Sequence, residues 1–256
     1  MESPCALMFE LANVDRLNIL VEIKAKAMKL TNLSKKLDLT VQETSRHLQR
    51  LSDAMLIEKK SDGAYHITPY GSNVLLLLPG LEFLVEHRDY FIEHMIDHLP
   101  REFVLRIGDL LGMTLLESPL ISFQKVNTII EEAEKYLYLT ADQVPSGSIP
   151  LIEAAVKRGV ELRILMPSNM ERPDIPDAYL PKYDDQDRER MLLGWTDSID
   201  FVGVISEAAA VVGFPTVGGK MDYHSFLVMS DVALRWCTDL FLYYWEQVES
   251  VRPPQE

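Results

Sequence analysis

Cysteine is almost missing from this chain: Cys5 and Cys237 stand far apart with no Cys-x-x-Cys spacing, which excludes a disulfide framework and a thiolate zinc motif. A reducing cytoplasm is the natural compartment. Long hydrophobic runs are missing too, since Val74 to Leu78 and Ala208 to Phe214 are far too short to cross a bilayer. The N-terminus lacks a basic start followed by an apolar signal core, so we expect a cytoplasmic protein with no membrane partner. There is no Gly-rich phosphate loop of the Walker type, no Gly-x-Ser-x-Gly and no His-Glu-x-x-His. The net charge of -14 argues against indiscriminate nucleic-acid binding. What remains is ordinary globular composition, 47% hydrophobic and 25% charged, in 256 residues, enough for two domains with filled cores.

The most informative stretch is Lys29 to Lys60, which reads as two short helices, a tight turn and the start of a hairpin, the layout of a winged helix-turn-helix. At about 100° per residue, Val41, Thr44, Leu48, Leu51 and Met55 share one face of the second helix. Gln42, Arg46, Gln49 and Asp53 share the opposite one. Thr40 with Glu43 three residues on forms a capping box that would start this helix. On the outer face, Arg46 can pair with guanine and Gln42 or Gln49 with adenine, while Ser45, Arg50 and Lys35 can hold phosphates. Asp62-Gly63 is a two-residue hairpin signal, and Lys59 and Lys60 on its shoulder suit a wing lying along the phosphate backbone. The competing reading is a small helical domain using this topology for protein contacts.

Charge is unevenly placed. Lys24 to Lys60 carries nine Lys or Arg against four Asp or Glu, a local +5, whereas residues 101–256 carry 14 against 25, a local -11. A basic head on an acidic body should bind double-stranded DNA in one orientation, and weakly at high salt.

From Gly80 to Leu99 the pattern predicts one two-sided helix about 30 Å long, started by Pro79 and ended by Pro100. Leu81, Leu84, Val85, Phe91, Ile92, Met95, Ile96 and Leu99 lie on one side, with Glu82, Glu86, Asp89, Glu93 and Asp97 on the other. Such a helix either pairs with its copy in a homodimer, which would let two reading heads address two half-sites, or packs its apolar side on its own domain. His87, His94 and His98 fall near one line at its border; solvated or interface histidines are favoured there over a metal site, and no metal or cofactor is expected.

Beyond about residue 125 the pattern alternates. Strands are expected at Lys135 to Thr140, Val160 to Met166, Ile199 to Ile205, Ala208 to Phe214 and Ser225 to Met229, with helices at Ile149 to Gly159 and Asp231 to Val248. Strand, helix, strand is the parallel β-α-β unit, so we expect an α/β domain with a parallel or mixed sheet. Ligands in such sheets collect at the carboxyl ends of strands, which nominates Thr140, Asp142, Tyr183, Arg188, Trp195 and Lys220, with Met166 at its strand end, to line a small-molecule pocket; Arg163 joins them as a cation that, with Arg188 or Lys220, a highly anionic effector would need. The expected division is 1–78 for the winged head, 79–115 for a helical connection and dimerisation segment, and 116–256 for an α/β effector domain, a two-domain α+β chain.

Lys29-Leu-Thr-Asn-Leu-Ser34, Gln42-Glu-Thr-Ser-Arg-His-Leu-Gln-Arg-Leu51, His66-Ile-Thr-Pro-Tyr-Gly71, Leu78-Pro-Gly-Leu-Glu-Phe83 and Glu86-His-Arg-Asp-Tyr-Phe91 resemble the archaeal winged-helix regulators of the methanogenesis-regulator (Fil-type) group, relatives of the ArsR repressors. The resemblance continues through Lys157-Arg-Gly-Val-Glu-Leu-Arg-Ile-Leu165 and Trp236-Cys-Thr-Asp-Leu-Phe-Leu-Tyr-Tyr-Trp245. It implies a transcription factor whose C-terminal effector domain is similar in fold to phospholipase D and to the sugar-sensing domain of TrmB-type regulators. The ArsR metal-thiolate site does not carry over, because no Cys lies near the second helix. Phospholipase D chemistry needs a His two residues before a Lys, with an Asp further on, and none of the six histidines meets that requirement. We therefore expect a DNA-binding regulator, not an enzyme, with a hydrolase remnant or a protein-interaction adaptor as the competing readings.

Overall fold

The computed structural model describes residues 3–143, 145–168, 187 and 189–248, and the backbone of 251–252. Two compact units result, Met1–Pro79 and Gly80–Glu256.

The first unit holds α1 (Pro4–Leu11), α2 (Val14–Ala25), α3 (Leu30–Lys36), α4 (Val41–Asp53), a hairpin of β1 (Ile57–Lys59) and β2 (Tyr65–Ile67), and the start of α5 (Pro69–Glu86). Side chains fix the helix starts: Ser3, Asn13 and Thr40 each accept a hydrogen bond from a backbone N–H three residues on. The α4 cap is the full capping box, with Glu43 reaching back to the Thr40 amide at 3.1 Å. Ile19, Leu20, Leu33, Leu48, Leu51 and Leu56 are completely buried and form the core. At the foot of α5 the Thr68 hydroxyl accepts from the Gly71 amide and donates to the Met55 and Leu56 carbonyls. A Cβ on Gly71 would lie 2.2 Å from the Leu56 carbonyl oxygen, so only glycine lets the chain pass there.

The hairpin turns differently from expectation. Lys60 and Ala64 pair through a 2.9 Å bond, which leaves a three-residue loop, Ser61 to Gly63, with Gly63 at φ +81. The Asp62 carboxylate accepts from the Ala64 amide and sets this wider turn.

The second unit is built on an eight-stranded mixed sheet in the order β10-β6-β5-β4-β7-β8-β9-β3. The strands are β3 (Thr114–Leu115), β4 (Tyr136–Thr140), β5 (Glu161–Pro167), β6 (Met191–Thr196), β7 (Val202–Ile205), β8 (Ala210–Gly213), β9 (Phe226–Val228) and β10 (Val251–Arg252). β4, β5 and β6 run parallel and every other pairing is antiparallel. Alternation along each strand feeds two cores. Leu137, Leu139, Leu162, Ile164, Val204 and Val211 face α8 (Pro119–Glu132) and α9 (Ile149–Lys157). Leu165, Ile205, Val212, Phe214 and Phe226 belong to the other core, with α10 (Asp231–Trp245).

That second core corrects the expected long helix. Pro79 lies inside α5, which ends at Glu86; His87 breaks it at φ -110, ψ 32, and a short α6 (Arg88–Glu93) follows. The cause is aromatic packing: Phe83, His87, Tyr90 and Phe91 gather around Phe226, with ring centroids 4.7–6.3 Å from it. Residues 79–115 are therefore not a separate connection. Phe83, Tyr90, Leu99, Ile107, Leu110 and Met113, together with Phe103 of α7 (Arg101–Leu105), are buried in the same core as the sheet.

Candidate nucleic-acid interface and sheet cleft

On α4 the buried residues are Thr44, His47, Leu48 and Leu51. Val41 and Met55, expected on the apolar face, are instead exposed; Met55 lies beyond the helix at φ +61, where the chain reverses into β1. His47 takes the place assigned to them. Gln42, Ser45, Arg46 and Gln49 are exposed as expected, and Lys35 projects from α3 beside the turn that leads into α4. Gln42 and Arg46 make no side-chain hydrogen bond or ion pair among the described residues, whereas the Gln49 amide donates to Asp53 at 2.7 Å. A ligand must compete with Asp53 for Gln49, and with nothing for Arg46.

Arg50 has a different occupation from the phosphate contact expected of it. Its guanidinium grips the carboxylate of Glu10 through Nε at 2.9 Å and Nη2, and lies 5.2 Å from the Phe9 ring centroid. Glu10 is nearly buried and also meets the buried Arg16, whose Nε and Nη2 donate to the Glu10 and Phe9 carbonyls. The hydrogen bond from Arg50 holds the Glu10 carboxyl below the usual carboxylate range, against the effect of burial. On the wing, Lys59 lies over the Tyr65 ring at 5.6 Å and Lys60 pairs with Glu58 at 2.5 Å; both amines remain exposed.

His47 adds a pH dependence. Burial pushes its imidazole below 6.5, opposed by Asp15 at 3.7 Å and by Glu43, and helped by Arg46 and Arg16. A depressed value means the folded state keeps His47 neutral where the unfolded chain would already be protonated. Its contribution is complete above 6.5 and is lost as pH falls below that. Protection factors of the α4 amides, corrected for the slower intrinsic exchange at lower pH, should therefore fall on acidification through this range, and His47→Gln should flatten the response; an identical pH profile in the variant would remove His47 as the cause.

In the second unit a cleft lies between α8, α9 and strands β4, β7 and β8. Of the expected ligand residues, Thr140 borders it and Asp142 touches its rim through a hydrogen bond from the Tyr223 hydroxyl. Strand alternation puts the Thr140 side chain on the Tyr138 face, so its buried, unpartnered hydroxyl does not serve the cleft. Arg163 sits on that face as well, bonded to Glu161 and stacked over Tyr138 and Trp245. Trp195 is on β6 and Lys220 in the exposed turn before β9, neither of them lining the cleft. Tyr183 and Arg188 lie outside the described residues.

Phe123 and Tyr223, which no sequence signal nominates, stand at the cleft with ring centroids 5.1 Å apart. Tyr223 is at φ +63, a conformation nothing in a tyrosine announces. The three aligned histidines have three separate surroundings. His87 is buried among Phe83 and Phe226; His94 stacks on Tyr90 and bonds to Asp222 at 3.1 Å; His98 is exposed beside Asp97. No group of three metal-capable side chains occurs among the described residues. His224 has Phe226, fully buried, at the position where phospholipase D chemistry needs lysine.

Residues 16–84 match the winged helix-turn-helix family model. The first unit is a winged helix-turn-helix. No curated protein matches the chain. In fold the chain is similar to TrmBL2, an archaeal chromatin protein described as showing a novel mode of DNA binding, over 93% of this chain and 94% of that one, at 15% identity and TM-score 0.43. It is similar to Nuc of Salmonella typhimurium, a phospholipase D family member, over 52% of this chain and 91% of that one, at 13% identity and TM-score 0.38. NucT of Helicobacter pylori is similar over 54% of this chain and 96% of that one, at 13% identity and TM-score 0.40. Likenesses this distant bear on neither activity nor partners. Among the described residues no helix is long and apolar enough to cross a membrane.

Proposed function

We propose that the chain is a cytoplasmic, sequence-specific DNA-binding transcriptional regulator. The carrying observation is α4: a capped helix, anchored by Leu48 and Leu51, that leaves Gln42, Ser45, Arg46 and Gln49 exposed within a winged helix-turn-helix unit. Arg and Gln are the side chains that read guanine and adenine edges in the major groove. The motifs quoted above support placing it among the ArsR-related, methanogenesis-regulator (Fil-type) archaeal proteins. Selection of bound sequences from random duplexes by the purified protein tests the reading. A shared motif in the recovered pool supports it; recovery without sequence preference, or no binding, overturns it.

The regulator acts as a homodimer, with the second unit as its effector domain. Phe91, first expected at the dimer face, is packed against the unit's own core, so Phe91→Asp would unfold rather than dissociate it. Leu81 and Val85 of α5, at i and i+4, are 49% and 75% exposed and are the better candidates for a partner helix. Leu81→Glu with Val85→Glu should convert a dimer to a monomer in sedimentation while the thermal midpoint stays near that of the unaltered chain. A monomeric unaltered protein at micromolar concentration would end the dimer proposal.

A further inference from the structure

We propose that the cleft between α8, α9 and the β4–β7–β8 strands binds a compact, uncharged, ring-containing molecule that is mainly apolar and carries one hydrogen-bond donor. The proposal rests on reading the second unit as an effector domain, and gives that domain a ligand class.

The lining decides the chemistry. Val126, Ile130, Leu139, Ile152, Val204 and Val211 supply the walls, and no Asp, Glu, Lys or Arg lines the cleft among the described residues. Three of its buried hydroxyls are already bonded, Ser122 donating to the Ser118 carbonyl, Ser148 to Asn127 and Ser225 to the Tyr223 carbonyl, and the unpartnered Thr140 hydroxyl belongs to the Tyr138 face of β4. Water held deep in the cleft would find few of the two to four polar partners it needs, and an ion would lose its hydration without a counter-charge. An apolar body loses nothing there and leaves water.

The mouth supplies the one polar contact. Tyr223 is held in the left-handed region, at a cost typical of strained positions that cluster at ligand sites. Its hydroxyl donates to Asp142 and accepts from the Gln143 amide, and its ring leans on Phe123. The Gln143 side-chain oxygen and the second lone pair of the phenol are left as acceptors, so the ligand brings the donor. The two rings select a flat partner. Asp222, next to Tyr223 in the chain, bonds to both His94 and His224, so displacement of Tyr223 would be felt at the end of α6.

A series built on one ring tests this on the full chain: indole, indole-3-acetate, tryptamine and, as the uncharged control for side-chain size, indole-3-acetamide, titrated by calorimetry and by methyl NMR. Indole should bind saturably, perturbing the cleft methyls, and both charged analogues at least tenfold more weakly than indole-3-acetamide. Val126→Trp, which fills the cleft from the α8 rim, should abolish indole binding with the fold retained by circular dichroism. Should that variant fail to fold, Tyr223→Phe, which keeps the ring, should weaken indole about fivefold. Absence of saturable indole binding, equal binding of either charged analogue, or indole affinity unchanged in a folded Val126→Trp or in Tyr223→Phe would overturn the proposal. Indole binding that leaves affinity for the selected duplex unchanged would keep the site and refute only the effector role.

Discussion

Glu10→Ala should cost the winged unit about 3 kcal/mol, near the lower end of the range for removing one partner of a buried ion pair. Among the described residues the carboxylate is the only one paired with Arg16, whose side chain is 9% exposed, and it also receives two bonds from Arg50. Arg16 would keep the Glu10 and Phe9 carbonyls as acceptors, which is why the loss falls at the lower end. Arg50→Ala should cost less, because the Arg50 side chain is 41% exposed and its loss leaves Glu10 still paired with Arg16. The effect should also be graded by acid. The Glu10 carboxyl is held below its ordinary value of 4.5, so its contribution is whole above that pH and is lost as pH falls through the depressed value. Amide exchange in α4, followed in the full chain, measures the first unit without requiring the whole protein to unfold in one step. Protection factors lowered less than tenfold by Glu10→Ala would show that the clamp contributes little.

The clamp also shows where reading a sequence stops. Local signals survive into the structure: Thr40 with Glu43, the period of α4, the strand–helix–strand run from Tyr136 to Pro167 and the start of α10 at Asp231 all depend on neighbours a few residues apart. Arg50 looks like a phosphate contact in the sequence because its partner Glu10 is forty residues away, and no period links them. Gly80 to Leu99 misled for the same reason. Its apolar side is real, but the aromatic cluster around Phe226 absorbs Phe83, Tyr90 and Phe91 and ends the helix at His87. α8 carried a start signal, Ser118-Pro119, that went unread, and without α8 the cleft had no second wall. The rule that ligands gather at strand ends points to Thr140 and Asp142, beside the cleft, whereas Arg163, nominated for its charge, lies on the opposite face by one step of strand alternation.

The division of labour on the head gives the second large effect, a contrast between two classes of substitution. Arg46→Ala should weaken binding to the selected duplex by about 1–3 kcal/mol and relax base preference at one position, because a bidentate contact to a base edge carries that much discrimination. Arg46 is suited to this: exposed, on the face opposite Leu48, and free of any ion pair among the described residues, so no internal bond is broken when it turns to a base. Gln42→Ala should behave likewise at a neighbouring position, and Gln49→Ala less so, since the Gln49 amide gives up Asp53 to reach DNA. Lys59→Ala should instead weaken all duplexes alike and reduce the salt slope by about one, the mark of a phosphate contact. Lys60→Ala should do less, its charge being partly offset by Glu58 at 2.5 Å. Binding isotherms on the selected duplex and on a scrambled one, each at several salt concentrations, separate the two classes. Equal losses on both duplexes for Arg46→Ala and Lys59→Ala would remove base reading from α4 and leave the head a non-specific cationic surface.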